Sequence, residues 1–105
     1  MKQNNSFILF LLTIFSAFNL YATDYYVDPI NGNDNNNGLS SSSAYRSLER
    51  IERINLQPGD FVYFMEGTYT RPGQTLLRIN ESGTEENWIT FKNFEDHNPI
   101  LEFDS

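Results

Sequence analysis

FVYFMEGTYTRPGQTLLRINESGTEENWITF, residues 61–91, decides the fold. In 61–65 aromatic and β-branched side chains take alternate positions, and 88–91 does the same. Such residues suit a half-buried pleated surface, and a period of two is the strand signature. Polar and glycine-containing clusters at 66–67, 71–73 and 80–84 break the run into short pieces. Two more candidates, 75–79 and 100–103, complete a set of four strands. Val62 to Ile89 is 27 residues and Leu76 to Ile100 is 24. Strand one thus precedes strand three by nearly the interval that separates two from four. That interval predicts a solenoid in which each strand stacks on its counterpart one turn later. A plain four-strand meander is the competing arrangement.

Upstream, 24–28 reads as another short strand, closed by Pro29. NGNDNNNGLSSSS (31–43) has almost nothing to bury. Its side chains bond to local backbone, so it is a turn-rich loop whose serines can cap a following helix. In 44–56 the apolar residues Ala44, Leu48, Ile51 and Ile54 recur at helical spacing. Arg46, Glu49, Arg50 and Arg53 fall on the other side, with Glu49 and Arg53 placed as an i,i+4 pair. Pro58-Gly59-Asp60 ends this helix in a turn.

Residues 1–22 read as a secretory signal peptide. Lys2 precedes the uncharged run 7–18, and Ala22 supplies the small residue at the cleavage position. Removing those 22 residues from a 105-residue chain of net charge −7 leaves 83 residues at −8, since Lys2 goes with them. The expectation is an exported protein without a membrane anchor. The acidic balance excludes nucleic acid as a partner. There is no cysteine, hence no disulfide framework.

Several motifs together carry a family resemblance. YYVDPINGND (25–34), the PGD turn at 58–60, VYF (62–64) with GTY (67–69), and SGT (82–84) before WITFKN (88–93) resemble the start of secreted right-handed parallel β-helix proteins of the pectate-lyase-like group. The resemblance implies an all-β fold with one capping α-helix. After the leader at 1–22, it implies an N-terminal cap at 23–60 and first coils at 61–105, ending before the next coil. It further implies a polysaccharide lyase that acts on acidic polysaccharide by β-elimination, the chain itself being an inactive N-terminal piece. A non-catalytic β-helix adhesin or carbohydrate-binding surface protein is the alternative. Calcium would belong to the intact relative, and none is assigned to this chain. A strand at 100–103 without a following coil predicts self-association through that open end.

The residues themselves supply no catalytic, cofactor or metal set. His97 is the sole histidine and sits in a polar turn, and no serine has a nucleophile-elbow context. Glu66 and Glu102 can be imagined as a glycosidase pair, but no spacing selects them from 14 acidic residues. The spacing Asn33-x-Asn35-x-Asn37-Gly38 imitates the opening of an EF-hand loop, yet Asn replaces the first Asp and Ala44 stands where a bidentate Glu belongs. A bonded turn loop is the expectation there. Of the six basic residues after the leader, Arg71 and Lys92 adjoin no metal-like acid group, so neither is assigned as a lyase base.

Overall fold

The computed structural model describes residues 22–71 and 76–102. The leader reading, Ala22 apart, lies outside them. Five strands form: β1 (Asp24–Val27), β2 (Phe61–Phe64), β3 (Gly67–Tyr69), β4 (Thr90–Asn93) and β5 (Pro99–Leu101). A 3₁₀ turn at Ser41–Ser43 and one α-helix, α1 (Leu48–Glu52), lie between β1 and β2. The regular structure of the described residues is thus mostly strand, with a single short α-helix. All pairing between strands is parallel, in one sheet ordered β1-β2-β4 and a second made of β3 and β5. Among the described residues no helix is long and apolar enough to cross a membrane.

The register explains the core. Tyr25, Val62 and Phe91 align across the first sheet, as do Val27, Phe64 and Asn93. Side chains alternate across a sheet, so one face collects Val27, Val62 and Phe64, all buried. Leu48 and Ile51 of α1 join them, with Tyr45, Leu56, Tyr69 and Leu76. The other face carries Tyr26 stacked on Tyr63 (5.3 Å) and Phe61 stacked on Tyr63 (5.7 Å). Phe94 meets Tyr26 edge-on at 5.6 Å. Aromatic pairs of this kind add to register specificity beyond their buried area.

Polar residues fix where each strand begins. Asp60 is almost wholly buried, and its two carboxylate oxygens accept from Thr23 N and Gln57 N, both at 2.8 Å. Its own N–H and C=O bond Gln57 O and Thr90 N, so one residue aligns the starts of β1, β2 and β4. After β1, Asp28 Oδ1 accepts from Ile30 N and Asn31 N and turns the chain. Two glycines then let the loop close on Tyr45. A Cβ at Gly32 would lie 2.2 Å from the Tyr45 carbonyl, and Gly38 takes φ +73° against the Tyr45 ring.

Three expectations need correction. The helix over 44–56 shrinks to α1. The Asp34 carboxylate, 12 and 13 residues upstream, captures Arg46 N (2.8 Å), Ser47 N (2.9 Å) and Ser47 Oγ (2.7 Å). That holds Ala44–Ser47 extended, and Tyr45 bridges to Val27 in parallel. Ser47, outside the serine run 40–43, is the N-cap, accepting from Arg50 N. Strand one does pair with strand three, but Val62 aligns with Phe91, two residues beyond Ile89, and the strand begins at Thr90. Finally, 76–79 is not strand, Thr75 lying outside the described residues. The partner of β5 is β3, where Thr68 aligns with Ile100.

Candidate functional site

The carboxylates show what the described part of the chain can do. Asp28 and Asp60 are spent on backbone N–H groups, as above. Asp34 is pushed up by burial, but its bonds from Ser47 and Arg46, with Arg53 nearby, outweigh this and hold it below the usual aspartate value. Glu52 Oε2 accepts from Arg71 Nη1 at 2.7 Å and from Arg78 N at 2.5 Å. Glu49 faces Arg71 at 3.8 Å, so its partner comes from beyond β3 and not from Arg53 one turn along. Arg50 lies over the Tyr45 ring, 4.6 Å from its centroid, and its Nε reaches Asp34 O. The charged side of α1 is therefore bonded through Arg50 and Glu52, while Arg46, Glu49 and Arg53 remain exposed to solvent.

The turn after β2 is tied to the turn after β4. Glu66 N donates to His97 Nδ1 (3.0 Å), and Glu66 Oε1 accepts from Asn98 N (3.0 Å). Asn93 Nδ2 closes the corner on Glu95 O (2.8 Å) and His97 O (3.2 Å). Glu95 takes φ +45° there. His97 and Glu66 are thus brought together as a latch between successive turns. Glu102 is on the β5 side, its N–H bonded to Tyr69 O, and its side chain shares no bond with Glu66 among the described residues.

The EF-hand-like spacing is likewise occupied by the loop itself. Asn33 Oδ1 accepts from Asn35 N, and Asn37 Oδ1 accepts from Leu39 N and Ser43 Oγ, all at 2.9 Å. Among the described residues no group of three or more His, Asp or Glu is placed to hold a metal ion. A cavity of about 290 Å³ lies between α1 and β3, lined by Asp34, Ser47, Glu49, Tyr69 and Arg71. Its walls are the bonded groups already described. Tyr69 is buried, which raises its pKa and keeps the phenol protonated, and it donates toward Met65 O (2.8 Å) and Val27 O (3.0 Å).

The chain is similar to solved structures of a carbohydrate-active enzyme. They include the native protein and the selenomethionine derivative of the GH136 lacto-N-biosidase from Eubacterium ramulus. Each matches with a TM-score of 0.62 and 33% identity, over 71% of this chain and 12% of that chain. The chain therefore spans about an eighth of the enzyme's length. No family model matches the sequence, and no curated protein does.

These neighbours overturn the pectate-lyase-like resemblance and the lyase chemistry taken from it, because a lacto-N-biosidase is a glycoside hydrolase. The physical reason lies in which residues carried the resemblance. Asp28, Gly32, Asp34, Asp60 and Tyr69 set strand starts and turns, as their bonds show. Such residues specify how parallel strands are connected and are indifferent to the reaction a longer protein carries out. What survives is coarser: a mostly-strand chain whose neighbours act on carbohydrate.

Proposed function

We propose that this chain is a β-helical segment of an exported glycoside hydrolase, contributing scaffold and glycan contacts rather than the catalytic acid and base. The likeness to the GH136 lacto-N-biosidase, which joins sequence identity to a shared fold, carries this reading. The parallel pairing of β1, β2 and β4 beside that of β3 and β5 fits successive coils with a common corner. Export is supported by the order of charge, apolar run and small residue in 1–22. A glycosidase needs two carboxylates flanking the scissile bond, with their oxygens available to substrate and water. Asp28, Asp34, Asp60, Glu52 and Glu66 instead have oxygens committed to backbone donors of this chain.

An exchange experiment tests both halves. The matched segment of the Eubacterium ramulus enzyme is replaced by the matching residues of this chain, and hydrolysis of a chromogenic lacto-N-bioside is followed. The chimera should hydrolyse it, while the 105-residue chain alone should not. A well-folded but inert chimera would overturn the hydrolase assignment. Turnover by the chain alone would overturn the scaffold role.

A further inference from the structure

One carboxylate stands apart from the pattern. Glu81 Oε1 is buried and has no hydrogen-bond partner. Buried acceptors are nearly always satisfied, so an orphan of this kind calls for a missing donor. Glu81 lines a cavity of about 330 Å³ with Ile79, Thr84, Trp88 and Phe91. That volume is at the small end of ligand pockets, which span about 300–1,000 Å³.

Trp88 forms the exposed wall. The residue is 72% exposed, the largest value among the big apolar residues that are described. The indole is nonetheless held in place. Its Nε1–H donates to Glu85 O at 3.1 Å, and Trp88 O accepts from Gly59 N at 3.1 Å. The preceding turn is cross-braced, with Thr84 N bonded to Asn87 O (2.9 Å) and Asn87 N bonded to Thr84 Oγ1 (3.1 Å). With the indole N–H already engaged, what Trp88 offers a ligand is its π face. The fixed, solvent-facing ring thus stands beside a carboxylate oxygen that has no donor.

We propose that this cavity is a saccharide subsite, in which a neutral pyranose stacks its C–H face on Trp88 and donates hydroxyl hydrogens to the Glu81 carboxylate. The chemistry selects the ligand. A sugar ring has both an apolar face and convergent hydroxyl donors, matching the two features of the cavity. A uronate would bring its own negative charge to Glu81 on a chain of net charge −7, and is disfavoured. Charge-assisted bonds to a carboxylate are the stronger class of hydrogen bond, so Glu81 sets orientation while Trp88 supplies contact area. The subsite extends the glycoside-hydrolase reading by naming the sugar class, but its geometry stands without any catalytic step.

The test is tryptophan fluorescence of the full chain, which has a single tryptophan. It is titrated with lacto-N-biose, with N-acetylglucosamine and with galacturonic acid. A saturable shift with one or both neutral sugars, and none with galacturonic acid, is expected. Calorimetric titration then compares variants. Trp88→Ala should weaken binding of the responding sugar by about tenfold or more, and Glu81→Gln by about three- to tenfold, with unchanged far-ultraviolet circular dichroism. Trp88 is exposed, so its loss leaves the core intact. No saturable response to either neutral sugar would overturn the site, as would variants that bind like the parent. Equal binding of galacturonic acid would overturn the neutral-sugar class. An inert chimera in the exchange experiment beside a positive titration would remove the hydrolase reading and leave the subsite standing.

Discussion

Replacing Asp34 by alanine tests how the loop and α1 are joined. The carboxylate holds three donors at 2.7–2.9 Å, two from Ser47 and one from Arg46. A hydrogen bond to a charged group contributes about 1.5–3 kcal/mol when buried, and partial exposure discounts each one here. Asp34→Ala should therefore cost about 2–3 kcal/mol, and Asp34→Asn about 1 kcal/mol, because the amide keeps one acceptor oxygen. In a domain of this size 1 kcal/mol moves Tm by about 4–8 °C, so the alanine variant should melt about 10–20 °C lower. The folded Asp34 pKa lies below its unfolded value of 3.8. Its contribution is thus complete above that unfolded value and disappears as pH falls through the lower folded one. Urea melts at pH 7 and pH 3 measure this directly: the gap between parent and Asp34→Asn should narrow at the lower pH. An alanine variant within about 0.5 kcal/mol of the parent (about 2–4 °C in Tm), or a gap that widens with acid, would refute the reasoning.

Tyr69→Phe removes the hydroxyl that reaches Met65 O and Val27 O, and should lower stability by about 1–2 kcal/mol in the same melts. Ile51→Ala empties a fully buried position in the core and should cost about 2–5 kcal/mol, read from the denaturation midpoint. Millimolar calcium should leave Tm unchanged, since Asn33, Asn37 and Asp34 already bond within the chain; a rise reversed by chelator would contradict this. Among the described residues β4 and β5 are edge strands, as are β1 and β3, and Leu101 is 42% exposed. Leu101→Lys should reduce concentration-dependent light scattering, because a charge on an open edge opposes pairing with another chain.

Local pattern revealed the strands whose composition and burial agree. Tyr25-Tyr26-Val27 and Phe61–Phe64 are aromatic and β-branched, the second alternates in burial, and both are strands. β3 stayed hidden because it is three residues long, starts at a glycine with φ +135°, and pairs with a strand that starts at Pro99. The stretch 76–79 has better strand composition, yet Leu76 enters the core from irregular backbone. The length of α1 depends on Asp34, whose reach over 12 residues to Arg46 N leaves no periodic trace. The same limit applies to the site. Trp88 reads as a strand residue because aromatics favour strands, although it lies just before β4 with its ring in solvent. Glu81 looks like any other turn carboxylate until its burial and lack of a partner are known.

The bond from Thr23 N to Asp60 Oδ1 lies at the boundary of the proposed leader. While residue 22 is attached, that donor is a neutral amide. Cleavage after Ala22 would turn it into a terminal ammonium 2.8 Å from a carboxylate that is only 1% exposed. A polar contact would become a buried ion pair, and stability would then depend on the charge of the chain's first atom, whose usual pKa is about 7.7–8.0. Maturation would thus place a charge beside the residue that aligns β1, β2 and β4, and acetylation of the new amino group would restore the neutral amide contact.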